Sequence, residues 1–223
     1  YMAIEALGEK GGVYRSDDGG ESFKQTTNDA TTYARAWYYM HIIADTSDED
    51  ELWVLNSSAM KSIDGGKTFK GMRGSHVDHH DIWINPENSN IMINGNDGGG
   101  SVTFNGGETW STLMNQPTGQ FYRVITDNQY PYRLYSGQQD NSTIAIDSRV
   151  EDDGIGEMHW DIMRAGESST VALDPDNPRY VYSTYFASNF IEWDRDIDNT
   201  RMVRPYPERI SGEQPKNLKY RAN

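Results

Sequence analysis

Ser62-Ile63-Asp64-Gly65-Gly66-Lys67-Thr68-Phe69 decides the fold because it recurs. It returns as Ser16-Asp17-Asp18-Gly19-Gly20-Glu21-Ser22-Phe23 and as Thr103-Phe104-Asn105-Gly106-Gly107-Glu108-Thr109-Trp110. The shared pattern is Ser/Thr-x-Asp/Asn-Gly-Gly-x-Ser/Thr-aromatic. Glycine takes positive φ without a Cβ penalty, and an Asp or Asn side chain bonds nearby backbone amides, so this pattern marks a tight hairpin. The closing aromatic anchors the returning strand. Gly19, Gly65 and Gly106 are separated by 46 and 41 residues, a period that suits four-stranded propeller blades.

A second repeat fixes the frame. Ile42-Ile43-Ala44-Asp45, Ile82-Trp83-Ile84-Asn85, Val124-Ile125-Thr126-Asp127 and Val171-Ala172-Leu173-Asp174 end 40, 42 and 47 residues apart. Each reads as a short apolar strand closed by Asp or Asn, then a polar turn and another strand. One repeat is therefore strand, turn, strand, loop, strand, glycine hairpin, strand: four strands in a meander, one blade. The expected blades span about residues 4–27, 34–72, 76–114, 118–150 and 163–205, and a connector follows at 206–223. In the last two blades the hairpins, placed at 140–147 and 193–199, lack Gly-Gly. The expectation is an all-β propeller of antiparallel blades, about five present, with the ring incomplete or finished by another segment. Tyr1 is not a natural initiator and Val13-Tyr14-Arg15 already reads as strand, which suggests the interior of a longer parent.

Composition agrees with many short strands and turns: 12% aromatic, with 21 glycines in 223 residues. Acids outnumber bases by 34 to 20, a net charge of −14 that argues against a general nucleic-acid or anionic-membrane surface. From Arg201 onward six basic residues face two acids, so the end is +4 and residues 1–200 carry −18. With three prolines among them, these last residues suit a connecting segment, though they could also dock on the acidic body. Zero cysteines exclude disulfides, thiolate catalysis and Cys-ligated zinc. No run approaches the ~18 apolar residues of a membrane span, and no signal-peptide pattern opens the chain.

Blade topology sorts the loops. The turn after strand one shares a face with the glycine hairpin, and the loop after strand two shares the other with the link to the next blade. The second face collects Arg35, Trp37, His76, Asp78, His79, His80, Asn96, Gln120, Tyr122, Gln139 and Asn141, a mixture of aromatics, amides and charges suited to a glycan or a protein segment. In His76-Val77-Asp78-His79-His80-Asp81, strand alternation places His76, Asp78 and His80 on one side and His79 and Asp81 on the other. His76, Asp78 and His80 form a candidate metal site with Asp97 as a further oxygen ligand; alternatively these groups bond one another and the loop backbone. No other cofactor is expected. Asp97, inside Asn96-Asp97-Gly98-Gly99-Gly100, and Asp140, in the equivalent loop one blade on, are candidate catalytic carboxylates, since glycoside hydrolysis uses two about 5–10 Å apart. Both are equally good formers of Asx turns. The acidic turn at 45–51 reads as a solvated cluster or a weak calcium site.

The three hairpins resemble Asp-boxes, also called BNR repeats, which occur in sialidases, sortilin-type receptors and the two-propeller glycoside hydrolases that cleave xyloglucan. A longer set of stretches is more specific: Arg35-Ala36-Trp37-Tyr38-Tyr39, His79-His80-Asp81-Ile82-Trp83-Ile84-Asn85-Pro86, Gly95-Asn96-Asp97-Gly98-Gly99, Asn115-Gln116-Pro117-Thr118-Gly119-Gln120-Phe121-Tyr122 and Gln138-Gln139-Asp140-Asn141-Ser142-Thr143. Over about residues 10–221 the chain resembles a family of large bacterial secreted proteins with sortilin-like or BNR-repeat propellers, often described as glycosyl hydrolases by similarity. The resemblance implies structural roles for Asp18, Asp64 and Asn105, away from any active face. It also implies a secreted or cell-surface location, with a protein or glycan ligand and further blades or a second propeller as partners. In the xyloglucan-cleaving enzymes each of two propellers supplies one catalytic Asp, so Asp97 or Asp140 would be half of such a site. The leading expectation is a non-enzymatic binding module, and the rival is a glycoside hydrolase.

Overall fold

The computed structural model describes residues 1–114, 116, 118–167, 169–185 and 189–203. The expected connector at 206–223 and the end of the fifth blade at 204–205 lie outside the described residues. Two compact units divide the chain, Tyr1–Pro117 and Thr118–Asn223. Among the described residues regular structure is antiparallel sheet with short 3₁₀ turns, and no helix is long and apolar enough to cross a membrane.

The first unit holds three sheets. They are β1 (Met2–Ile4), β2 (Gly12–Arg15) and β3 (Lys24–Thr27); β4 (His41–Ala44), β5 (Leu52–Leu55), β6 (Ala59–Ser62) and β7 (Lys70–Gly71); and β8 (His79–Ile84), β9 (Met92–Asn96) and β10 (Gly99–Thr103). The second holds β11 (Ile125–Thr126), β12 (Arg133–Gly137), β13 (Thr143–Asp147) and β14 (Trp160–Ile162), then β15 (Val171–Leu173), β16 (Tyr180–Tyr185), β17 (Asn189–Asp194) and β18 (Asn199–Val203). Neighbours in every sheet follow chain order, so all five are meanders. The fold is all-β, built of the antiparallel blades of a β-propeller.

Burial explains which sequence patterns made strands. Residues alternate faces along a strand, so a strand that is apolar throughout must be covered on both sides. The Leu-Trp-Val-Leu of β5 meets that condition: Leu52 and Val54 pack with Val13 and Met60, while Trp53 and Leu55 pack with Ile82, Ile84 and Met92. Burying each such side chain contributes about 1.5–3 kcal/mol. In β8 the apolar Ile82 and Ile84 are buried while Trp83 between them is half exposed, so that part of the sheet is covered on one face. The core of the second unit gathers Tyr135, Ala145, Met163, Val171, Val181 and Trp193.

Each glycine hairpin closes with one hydrogen-bond set. Asp64 Oδ1 accepts from Thr68 N (2.9 Å), Lys67 N (3.1 Å) and Ser62 Oγ (2.8 Å), while its Oδ2 accepts from Thr68 Oγ1 (2.6 Å) and Ser62 Oγ accepts from Gly66 N (2.9 Å). Asp18 repeats this with Ser16 and Ser22. Asn105 takes Thr109 N at 3.0 Å, and its Nδ2 donates to Thr109 Oγ1 at 2.8 Å, which reverses one bond and keeps the geometry. Hydroxyl and amide donors lower the pKa of Asp18 and of Asp64 to about 2. Both glycines of every copy have φ between 69° and 94°, which explains the Gly-Gly.

The hairpins lie against the first turn of their own blade, as Gly65 N donates to Asp50 O (2.9 Å) and Gly106 N to Asn90 O (3.0 Å). The Asp or Asn closing strand one caps that turn: Asp45 accepts from Ser47 N (2.7 Å), Asn85 from Glu87 N (2.9 Å), Asp127 from Gln129 N (3.2 Å) and Asp174 from Asp176 N (3.0 Å). Asp45 is also buried and takes Ser89 Oγ of the next blade at 2.9 Å, so the acidic turn has a structural anchor.

The fourth blade departs from expectation. Its third strand is β13, so residues 140–142 belong to the loop after strand two, the real hairpin spans 148–159, and the sheet runs past residue 150 to Ile162. Where Gly-Gly is missing, His159 organises the longer connection, its Nδ1 accepting from Gly156 N at 2.9 Å and its Nε2 lying 3.0 Å from Asp152 Oδ2.

Candidate functional site

In the first unit the link between the first two blades begins with a 3₁₀ turn, Ala30–Tyr33, capped by Asp29, whose carboxylate accepts from Thr31 N at 2.9 Å. A second tight turn follows, with Tyr38 N and Tyr39 N both donating to Arg35 O (3.0 and 2.9 Å). That turn presents Trp37 and Tyr38 outward and sends Tyr39 into the interior. Buried Asn56, after strand two, ties the link down by donating to Thr31 O at 3.0 Å.

Arg35 is held in the cluster by Ser57 Oγ, which accepts from its Nε at 2.9 Å, and by Asp78 Oδ1, 3.3 Å from its Nη2. Its guanidinium lies over Trp37 (5.7 Å to the ring centre) and Tyr39 (5.8 Å). Tyr39 donates its hydroxyl to the same Asp78 oxygen, and burial with that carboxylate raises its phenol pKa well above the usual value. The Tyr39 ring is 4.5 Å from the His80 ring, and His80 Nε2 is 2.7 Å from Asp97 Oδ1. Trp37 stacks on Tyr38 with centroids 5.7 Å apart and planes 25° from parallel. Arg35, Tyr39, Asp78, His80 and Asp97 therefore form one connected rim beside the exposed rings of Trp37 and Tyr38.

Strand alternation does not hold through the His-rich segment. Asp78 has φ +60°, and the register of β8 shifts between His79 and Asp81. As a result His79 is buried, with Nδ1 2.9 Å from Asn94 Oδ1, while Asp81 is exposed and caps Ile82 N at 2.8 Å. Burial lowers the pKa of His79. His79 and Asn96 support the loop from behind: Asn96 bonds Ser75 Oγ (2.7 Å), Asn94 Oδ1 (3.0 Å) and Gly98 N (2.9 Å). Gln116 fastens the glycine loop on its other side, accepting from Gly100 N (2.8 Å) and donating to Gly100 O (2.6 Å). His76 packs against Gly98, where a Cβ would come within 2.5 Å of its own. Among the described residues no three His, Asp or Glu side chains gather as a metal-binding group, so His76, Asp78 and His80 are not brought together in that way.

Asp140 belongs to the second unit and has its own surroundings. The β12–β13 loop is fastened to residues 165–167: Asp140 N donates to Glu167 Oε2 (3.0 Å), Ser142 Oγ to Ala165 O (3.1 Å) and Thr143 Oγ1 to Gly166 O (2.8 Å). Asp140 and Ser142 have φ of 58° and 74°, a left-handed conformation that costs a non-glycine residue energy and is held here by these bonds. Gln139 N donates to Gln120 O (2.8 Å), Tyr122 N to Gly137 O (3.2 Å), and Asn141 Nδ2 to Gln139 O (3.0 Å). Gln120 and Tyr122 remain exposed beside this loop.

The sequence reading does not single out Tyr38, Tyr39, Ser57 or Asn94. The two tyrosines directly after Trp37 carried a signal, since three successive aromatics cannot all be buried by one short link. Nothing in the pattern pointed to Ser57 or Asn94.

Fold and rim together define a propeller-type scaffold with an aromatic and polar surface on its blade links. No protein-family model matches the chain, and no curated protein matches it. Solved structures do. The GH74 xyloglucanase from Xanthomonas campestris is 18% identical, with 92% of this chain and 36% of that one covered and a TM-score of 0.36. The Niastella koreensis GH74 enzyme is 18% identical, with 87% and 34% covered and a TM-score of 0.35. The extracellular domain of a hybrid two-component system from B. thetaiotaomicron is 12% identical, with 73% and 22% covered and a TM-score of 0.29. The chain spans about a third or less of each of these structures. Superpositions this loose do not equate individual residues.

Proposed function

We propose that the protein is a secreted or cell-surface propeller module that binds a glycan through the blade-link rim of its first unit. The observation that carries this reading is the exposed pair Trp37 and Tyr38, 72% and 66% accessible and stacked, beside the His80–Asp97 pair. Water-exposed aromatic rings held in a fixed orientation offer an apolar face to the C–H side of a sugar ring. His80 and Asp97 at the edge of the stack supply polar atoms for hydroxyl groups, and Arg35 and Asp78 hold the aromatic turn in place. Calorimetric titration with xyloglucan and other soluble β-glucan oligosaccharides tests the reading. Trp37→Ala, at an exposed position, is expected to weaken binding about tenfold while leaving melting unchanged. Retention of a protein ligand with no glycan heat would refute it in favour of a protein-binding rim.

A hydrolytic reading rests on Asp97, the rim carboxylate 2.7 Å from His80. The neighbouring carboxylate, Asp78, is engaged by Arg35 and Tyr39, which favours binding over the two-carboxylate chemistry of glycosidases. Release of reducing ends that disappears in Asp97→Asn would reverse that preference.

A further inference from the structure

On the hairpin face of the second unit, away from the β12–β13 loop, lie two adjoining cavities. One, of about 300 Å³, is lined by Arg133, Arg179 and Arg195 with Asp161, Asp196 and Asp198. The other, of about 410 Å³, has Ile125, Tyr135, Leu173 and Pro175 as its apolar walls, with Asp127 and Asp174 at its edge. Gln129 and Pro178 line both, so the two form one groove with a charged end and a more apolar end.

The three arginines are not equally satisfied. Arg179 is clamped on Asp194 by two bonds of 2.7 Å. Arg133 has Asp161 Oδ2 2.8 Å from Nη2, and Asp147 Oδ1 lies 2.6 Å from its Nε, although out of line for a hydrogen bond. Arg195 is four-fifths buried, yet its guanidinium makes one hydrogen bond, from Nη1 to Pro178 O at 3.1 Å, and its Nε and Nη2 make none to a described residue. The nearest carboxylate, Asp127, is 3.8 Å away and already committed: Oδ1 accepts from Gln129 N and Arg133 N, and Oδ2 from the Tyr135 hydroxyl. The rim acids are held elsewhere, Asp196 3.5 Å from Arg179 Nε and Asp198 on Trp193 Nε1 at 3.0 Å. An arginine fork with open donors at one end of an apolar groove fits a planar carboxylate on an apolar body. The rim acids disfavour a dianion such as phosphate.

We infer that this groove binds a small monocarboxylate, with its carboxylate on Arg195 and its apolar part against Ile125, Tyr135, Leu173 and Pro175. The site is independent of the glycan rim, which lies in the other unit. Calorimetry and thermal shift with hexanoate and phenylacetate, against the uncharged hexanol and phenylethanol, test it. The carboxylates are expected to bind saturably and the alcohols not. Arg195→Gln weakens carboxylate binding about tenfold or more. Gln129→Trp, at an exposed turn position where the two cavities meet, blocks binding while preserving the melting point. Alcohols binding as well as carboxylates, no saturable carboxylate binding to the native protein, or undiminished binding in the Gln129 variant would each overturn the inference. If Arg195→Gln does not fold, the Gln129 variant decides.

Discussion

Replacing Asp64 tests whether the repeated hairpin is a stability element. Its carboxylate takes two backbone amides and two hydroxyls at 2.6–3.1 Å. The position is partly exposed, so solvent competes, and the comparison is a helix N-cap, whose loss costs about 1–2 kcal/mol. Asp64→Ala is therefore expected to destabilise the first unit by about 1–2 kcal/mol. Asp64→Asn should cost about 0.5 kcal/mol or less, because Asn105 in the third copy keeps the geometry by donating to Thr109 where Asp64 accepts from Thr68. Acid adds a second signature. The folded pKa of Asp64, about 2, lies below the ordinary carboxylate value of 3.8, so its contribution is full above that value and fades as pH falls towards 2. The asparagine variant lacks that component, and the stability gap between it and the native protein should close over the same window. Urea unfolding followed by tryptophan fluorescence at neutral pH and at several acidic values measures both effects. An alanine variant as stable as the native protein, an asparagine variant as damaged as alanine, or a gap that ignores pH would refute the reasoning.

Gly20 and Gly66 occupy equivalent hairpin positions with φ of 94° and 81°, but a Cβ at Gly66 would come within 2.9 Å of Thr26 Oγ1 while one at Gly20 meets nothing within 4 Å. Alanine at either should cost about 1 kcal/mol for the backbone, and Gly66→Ala should cost more by the packing clash, measured by thermal melting; equal losses would contradict it. His79 is buried and its pKa is lowered, so it favours the folded state when neutral, and that contribution is lost as pH falls from about 6.5 through the lowered value. His79→Gln should flatten stability over that range, and Asn94→Ala, which strips the partner from His79 and Asp81 O, should cost about 2–3 kcal/mol in urea unfolding at neutral pH.

The hairpins and the strand-closing Asp and Asn residues were legible in sequence because their partners lie within four residues along the chain. Ser62, Asp64, Gly66 and Thr68 close on one another whatever the rest of the protein does, and Asp127 or Asp174 caps its turn in the same local way. Where the local signal vanished the reading slipped: without Gly-Gly, the fourth hairpin moved from 140–147 to 148–159, set by a His159 contact that no motif announced.

The rim was legible in part. Arg35, Trp37, Asp78, His80 and Asp97 stood out as chemistry on one face, yet their pairing depends on chain segments as far apart as Arg35 and Asp78. His79 shows the limit most clearly. An alternation rule assumes an unbroken strand, and a register shift beside it together with the positive φ of Asp78 turned this side chain into the core.

Sequence alone thus determined the repeating unit, its Gly-Gly hairpins and the capped turns after strand one, because those follow from backbone stereochemistry and short-range hydrogen bonds. Only tertiary structure decided that Tyr39 joins Asp78 to His80, that Asp140 is fastened to Glu167, and that Arg195 keeps open donors at the end of an apolar groove. Those outcomes depend on how distant segments share buried space, and no local pattern of residues encodes that.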